Sequence, residues 1–324
     1  MTTKITKHVT GDSVFSRERN LLVNGDMAIW SGASGYANTT VSSNTTTAGT
    51  IGNSTALGAD KWRFWNGTSA FPAGTWDLSR STDVPSGKGF GFSYKFDVNT
   101  AQGSLPSSSA CYFVQGIKGK DIQHIFKGTS DAKSLTLSFH VKSNKTGTYV
   151  VRFYDTHLGR HIGRTYTIDS ADTWEKKILI IPGDTDTPAS AYDNTERFHV
   201  QFWLAVGGAY SSGTLPSSWK VTINSELAPG QTNLADNASN YLNLTGVQLE
   251  LGEGATEFEF KSTKTTARAS DNITLDANPF FVSTNTIASD FTIPEGYNAM
   301  TPGPVSVANT ATVTVSNNSV WTVV

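Results

Sequence analysis

No window of eleven or more residues in this chain holds the i, i+3, i+4, i+7 apolar spacing of an amphipathic helix. Strand-type segments recur instead: Gly89–Val98 (GFGFSYKFDV), Ala110–Ile117, Ser134–Val141 (SLTLSFHV), Gly147–Tyr154 (GTYVVRFY), Arg164–Ile168, Trp174–Ile181, Phe198–Val206, Trp219–Ile223 and Tyr241–Leu251 (YLNLTGVQLEL). Turn clusters separate them, among them Ser143-Asn144-Lys145, Pro182-Gly183-Asp184 and Gly207-Gly208. Short strands at this spacing, with no helix between them, predict an all-β chain built as an antiparallel jelly-roll sandwich.

In such sandwiches the first and last strands often lie side by side. Asn20–Asp26 (NLLVNGD) and Leu244–Glu250 (LTGVQLE) are the segments that this pattern pairs, which places the sandwich at 20–260. Residues 1–19 are polar and charged and read as an N-terminal anchor arm. Residues 261–271 lose apolar periodicity and read as a connector. Polar loops fill Ser31–Leu57, Gly183–Glu196 and Ala209–Ser218. The first is long enough that function or mobility is the expectation.

The segment 272–324 has a different character. Val305, Val307, Val313 and Val315 alternate with Ser, Thr and Asn at a period of two. The alternation breaks at Ala308-Asn309-Thr310 and Ser316-Asn317-Asn318-Ser319 and ends on Trp321, Val323 and Val324. This predicts short, half-buried strands joined by tight turns. A segment this small cannot close a core alone, so several copies are expected to pool their apolar faces around one axis. Val305, Val307, Val313, Val315, Trp321 and Val323 are the expected interface.

Composition removes several functions. Charged residues make up 16% of the chain, below the roughly 25% of an ordinary soluble protein. Aromatic residues at 11% argue against disorder. A net charge of −2 leaves no electrostatic case for nucleic acid or an anionic membrane. The single cysteine, Cys111, excludes an intrachain disulfide or a zinc knuckle and reads as a buried thiol. Met1–Arg19 lacks an apolar signal region, and the chain has no run of apolar residues long enough to span a membrane. Folding in a cytosol, without membrane insertion, is the expectation. No nucleophile elbow, zincin or P-loop motif is present. The carboxylate pairs Asp155 with Glu175 and Asp97 with Glu196 are of the kind any chain with 27 acids offers. The reading is that of a protein that is not an enzyme.

Six stretches carry a resemblance: Asn20–Trp30 (NLLVNGDMAIW), Ala59–Trp62 (ADKW), Leu135–Ser143 (LTLSFHVKS), Thr173–Gly183 (TWEKKILIIPG), Gly230–Asp236 (GQTNLAD) and Leu244–Phe260 (LTGVQLELGEGATEFEF). Together they resemble the carbohydrate-binding-module-like jelly rolls of bacteriophage tail fibres and other virion appendage proteins. Thr292–Val324 looks like the trimeric C-terminal β-knob of the same proteins. A coiled-coil or collagen-like shaft, which long fibres carry, is missing from the sequence. The resemblance implies a homotrimeric virion component, made in the host bacterial cytoplasm. It implies a short tail fibre that attaches without catalysis to a host-surface glycan or receptor, with residues 1–19 joining it to other tail or capsid proteins. The same modules also occur in head fibres and decoration proteins attached to the capsid, with a purely structural role.

For sugar recognition the chemistry needs aromatic faces, on which the apolar side of a pyranose stacks, and amides or carboxylates for its hydroxyls. Trp62, Trp65 and Trp76 flank the loop Asn66–Gly74, and Tyr210 lies in the Gly-rich Gly207–Ser212. Trp62 reads as core; Trp65, Trp76 and Tyr210 are the ligand-binding candidates. No cofactor is required. The resemblance raises calcium, for which Asn24, Asp26 and Glu250 supply oxygen ligands if the terminal strands pair. His157, Arg160, His161 and Arg164 lie in HLGRHIGR, where Gly159 and Gly163 disfavour a helix. This stretch reads as a basic hairpin loop suited to an anionic polysaccharide.

Overall fold

The computed structural model describes residues 19–30, 39–42, 59–66, 75–186, 191–260, 286–301 and 303–323. The chain divides into two compact units, Met1–Thr266 and Ala267–Val324. Among the described residues the first contains twelve strands: β1 (Thr39–Ser42), β2 (Arg63–Asn66), β3 (Thr75–Ser81), β4 (Ser93–Thr100), β5 (Ala110–Lys118), β6 (Leu135–Ser143), β7 (Gly147–Asp155), β8 (Arg160–Ile168), β9 (Glu175–Ile181), β10 (Glu196–Val206), β11 (Lys220–Val221) and β12 (Tyr241–Leu251). Among the described residues the only helical pieces are three-residue 3-10 turns, and no helix is long and apolar enough to cross a membrane.

These strands form two six-stranded antiparallel sheets, in the orders β1-β3-β4-β12-β6-β9 and β11-β8-β7-β10-β5-β2. Period-two alternation sends one face of each sheet into a shared core. Phe96, Phe139, Leu244 and Leu249 enter from the first sheet, and Phe64, Phe113, Phe153 and Phe202 from the second. Phe113 is the hub. Its ring lies 4.7 Å from that of Trp62, 4.5 Å from Tyr94 and 5.0 Å from Phe96. Cys111 is fully buried beside it, and burial pushes its thiol well above the usual value.

The terminal segments meet as the pattern predicts. Leu21 N–H donates to Leu249 O at 2.8 Å and Val247 N–H to Gly25 O at 2.9 Å. A bulge in β12, where the register shifts between Thr245 and Gln248, frees backbone groups that the Asn20 side chain then satisfies. Its amide donates to Val247 O, and its oxygen accepts from Leu249 N–H. Three strands escape the sequence reading, β1 among them, which lies in the expected loop Ser31–Leu57. β2 and β3 lie on either side of the expected loop Asn66–Gly74 and went unread because each carries only two inward side chains large enough to register: Phe64 with Asn66, and Trp76 with Leu78. Of the polar loop Ser31–Leu57, only Thr39–Ser42 is described, paired with β3.

One end of the sandwich is closed by buried ions. Lys127 Nζ lies 2.8 Å from both Asp155 and Asp184, and Arg160 makes a bidentate contact with Asp184 at 2.8 Å. Trp219 covers this cluster, its ring 5.2 Å from Lys127 Nζ. Burial raises the Asp184 carboxyl, but the hydrogen bonds and charges of Arg160 and Lys127 outweigh it and hold it below its ordinary value.

The second unit is not a set of hairpins. β13 (Thr286–Ile287), β14 (Phe291–Ile293) and β15 (Asn298–Thr301) pair in parallel with β16 (Ser306–Val307), β17 (Val313–Val315) and β18 (Val320–Val323). The chain therefore makes two stacked coils, each carrying three short strands. A repeat underlies this: Thr286-Ile287-Ala288 returns as Ser306-Val307-Ala308, and Phe291-Thr292-Ile293 as Val313-Thr314-Val315. Both coils turn the same corner, with Tyr297 N–H donating to Pro294 O and Ser319 N–H to Ser316 O. At the third position of each turn Gly296 and Asn318 take the left-handed conformation, with φ of 79° and 58°, which Gly and Asn adopt at least cost. The expected tight turns are there, but they join strands of different sheets.

Candidate functional site

The outward face of the second sheet concentrates the chemistry. Its strands bring side chains into three rows that the register defines. One is aromatic: Trp65 of β2 is paired with Tyr112 of β5, and Tyr112 with Trp203 of β10. The Trp65 and Tyr112 rings stack at 6.0 Å, and the Tyr112 and Trp203 rings lie 4.9 Å apart. The middle row runs Arg63, Val114, Gln201, Arg152, Gly163 across β2, β5, β10, β7 and β8. The last row runs Gly116, His199, Tyr154, His161, Lys220 across β5, β10, β7, β8 and β11.

Depth sorts these residues into rim and floor. Trp65 is 39% exposed, and Tyr112, Arg63, Glu196, His199 and Tyr154 are half-buried. Beneath them Gln201, Arg152, Trp203 and His161 are buried. An aromatic edge of this kind can hold the flat, apolar side of a sugar ring, with the half-buried Arg63, His199 and Tyr154 beside it as hydrogen-bond partners for its hydroxyls.

The polar groups are held by one another. Glu196 takes a salt bridge from Arg63 and lies 3.3 Å from His199 Nε2. Burial raises the Glu196 carboxyl, but His199 and Arg63 outweigh that and hold it down at about 2. Its carboxylate fits only because position 116 is glycine, since a Cβ there would sit 2.1 Å from Glu196 Oε2. On the floor, the Arg152 guanidinium lies 4.0 Å over the Tyr154 ring. It donates to His161 Nδ1 at 3.1 Å, Gln201 Oε1 at 3.0 Å and Thr222 Oγ1 at 3.1 Å. Burial lowers Arg152 to about 10, opposed only by Tyr154 and Tyr112. Burial, with Arg152 adding to it, lowers His161 to about 4.

The residues expected from the sequence separate here. Trp65 and Tyr210 do share this face: Tyr210, in the 3-10 turn Gly208–Tyr210, packs against a small cluster of Val150, Trp203, Val206, Leu227 and Ala228. Trp76 does not. It is 0% exposed in the core, its ring 5.7 Å from that of Phe64, so it presents no face to a ligand. Beyond Asn66, the loop Asn66–Gly74 lies outside the described residues. Tyr112, Arg152, Tyr154, His199 and Gln201 were missed because alternation alone does not say which side of a strand faces solvent. The register supplies that.

The oxygen ligands expected for calcium are each held by neighbouring groups. The Asn24 side chain donates to Ile29 O and Asp60 O and accepts from Ile29 N–H. Burial raises the Asp26 carboxyl, which accepts from its own backbone N–H and that of Ala28. Glu250 accepts from Gln248 and from both the N–H and hydroxyl of Thr256. Each is engaged locally, and among the described residues no cluster of three or more His, Cys, Asp or Glu is placed to hold a metal. The basic hairpin also changes meaning. HLGRHIGR does turn between β7 and β8, but His161 is buried and Arg160 is taken by Asp184, which leaves His157 and Arg164 as the basic residues of this stretch that reach the surface. Asp97 lies in the first sheet and Glu196 in the second, while Asp155 is buried against Lys127. Neither carboxylate pair is brought together.

No family model matches the chain, and no curated protein matches its sequence. Among solved structures, the enzymatically active domain of tailspike protein 4 of bacteriophage CBA120 is similar at 16% identity and a TM-score of 0.33, over 65% of this chain. The chain spans only 21% of that tailspike domain. The family 11 carbohydrate-binding module of a Clostridium thermocellum cellulosomal cellulase is similar at 11% identity and a TM-score of 0.33, over 61% of this chain and 93% of its own. TmCBM61, solved with β-1,4-galactotriose, is similar at 8% identity and a TM-score of 0.30, over 59% of this chain and 88% of its own. Likenesses this remote carry no argument about function.

Proposed function

We propose that this chain is a phage virion appendage, a short tail fibre whose sandwich attaches to a host-surface glycan without cleaving it. The observation that carries the attachment reading is the stacked pair Trp65–Tyr112, set on one sheet face beside the half-buried Arg63, His199 and Tyr154. Aromatic rows of this kind give sugars an apolar platform, and weak single sites gain strongly from multivalency.

The second unit supports a homotrimer. Ile293 is 2% exposed under Val315, its partner in the second coil. Val307, Val315 and Val323 of that second coil stay 40%, 43% and 47% exposed. Val305, Val313 and Trp321 are half-buried in the single chain. An open apolar face on a unit with so little core favours pooling between copies. Residues 1–19 are the arm by which other tail or capsid proteins hold the fibre.

The test is retention on immobilised host-envelope polysaccharide, comparing the full chain with Trp65→Ala and Tyr112→Ala. Loss of retention in both variants, with unchanged folding, is expected. Equal retention of all three proteins contradicts the reading.

A further inference from the structure

The buried ions at one end of the sandwich are placed for a reaction as well as for attraction. Lys127, Asp155 and Asp184 are 2%, 0% and 3% exposed. Lys127 Nζ lies 2.8 Å from Oδ2 of Asp155 and 2.8 Å from Oδ2 of Asp184. With a C–O bond of about 1.2 Å, the first contact puts the Asp155 carboxyl carbon within about 4 Å of the nitrogen. The other Asp155 oxygen, Oδ1, accepts from two backbone N–H groups, those of His157 at 2.8 Å and Leu158 at 2.9 Å. Two such donors polarise the carboxyl and wait where negative charge gathers on Oδ1 once its carbon is attacked. Asp184, gripped through both oxygens by Arg160, stays ionised, the form that can take a proton. Ile125, Leu135, Phe198 and Trp219 line the same small space as Lys127 and Asp184 and keep it apolar.

We propose that Lys127 and Asp155 condense into an intramolecular isopeptide bond, formed by the chain itself. Asp184 takes a proton from the Lys127 ammonium, and the lone pair this frees on Nζ attacks Cγ of Asp155. The Nζ–Cγ bond forms, and the charge pushed onto Oδ1 meets the N–H groups of His157 and Leu158. When that charge returns, the Cγ–Oδ2 bond breaks. Two of the three ammonium protons leave with Oδ2 as water, one of them by way of Asp184, which ends ionised against Arg160 as it began. The third stays on the amide nitrogen, and no oxidant or cofactor takes part. Burial favours the product, because an ammonium and a carboxylate held out of water become one neutral amide. The bond ties the turn that carries Lys127 to the end of β7, and so locks this end of the sandwich.

The test is the intact mass of the full chain, measured beside Lys127→Arg and Asp184→Asn. The expectation is that the unmodified protein weighs less than its sequence by one water, while each variant keeps its full sequence mass. Peptide mapping of the unmodified protein should recover one branched peptide that joins the segments holding Lys127 and Asp155. If a variant fails to fold, the mass and the map of the unmodified protein decide the question alone. A full sequence mass, with Lys127 and Asp155 on separate linear peptides, overturns the proposal. So does a water lost at any other place in the chain. A branched peptide that still forms in Asp184→Asn overturns the proton-carrying part given to Asp184.

Discussion

The two units use the same residue types to opposite ends. In the sandwich, Val, Leu, Phe and Trp from two sheets close on one another, and Trp62, Phe113, Phe139 and Phe153 are essentially inaccessible. In the C-terminal unit the strands are equally regular, yet Phe291, Tyr297, Met300 and Val320 are more than half exposed and Ile293 is its only fully buried large apolar residue among those described. Two facing sheets bury both inner faces; two coils stacked once bury only what lies between them. Repeat architectures need further copies or a cap to cover their ends. The sandwich thus closes its own core, while the coil unit leaves much of its large apolar surface exposed.

The largest effect that sharpens this contrast is core truncation in the sandwich. Phe113→Ala removes the ring that Trp62, Tyr94 and Phe96 pack on and should cost about 3–5 kcal/mol. Denaturant titration should show that loss at any protein concentration. Concentration-dependent unfolding of the sandwich transition would break the claim of autonomy.

Next come the buried ions. Asp184→Ala leaves Lys127 and Arg160 without their shared carboxylate and should cost about 3 kcal/mol, by thermal or chemical melting. A loss below about 1 kcal/mol would mean the cluster is far more hydrated than its burial indicates.

Acid should act on the sandwich through two buried histidines. His161 is lowered to about 4, by burial first and then Arg152, and His140 to about 4, by burial first and then Lys176 and Lys88. Both fold neutral while the unfolded chain titrates near 6.5. Their contribution is therefore complete above about 6.5 and lost as pH falls through 4, on the order of 2–3 kcal/mol for each at pH 4. The depressed Asp184 moves stability in the same direction at lower pH. Melting between pH 7 and 4 checks this, and a flat profile would place both imidazoles in water.

The smallest stability effect belongs to the rim. Trp65→Ala should cost less than about 1 kcal/mol in folding, because the ring is 39% exposed, while its effect on glycan retention is large. A large loss of stability would recast Trp65 as a packing residue.

Much of the sandwich was legible in the sequence, because alternation over seven to eleven residues marks a strand, though not which of its sides meets solvent. Leu135–Ser143 and Tyr241–Leu251 are such segments. The short β2 and β3 were not, since four to seven residues hold too few apolar positions to separate a strand from a loop with tryptophans in it. Trp65 was legible as exposed and Trp76 was not legible as buried, because only the pairing of Trp76 opposite Val98 fixes its side of the sheet. Arg152 and His161 gave no signal as a pair, since nine residues separate them in the chain and only the β7–β8 hairpin register sets them together. The coil repeat was present in the letters, but its copies differ enough (Phe291 against Val313, Ala299 against Trp321) that the alternation hid it.

Light scattering on the full chain across micromolar concentrations, with Val315→Asp beside it, tests the contrast between the units most directly. The account predicts three times the 34.8 kDa chain mass for the unmodified protein, and a monomer with an unchanged sandwich melting transition for Val315→Asp. A monomeric unmodified chain, or a trimer that survives Val315→Asp intact, would contradict it.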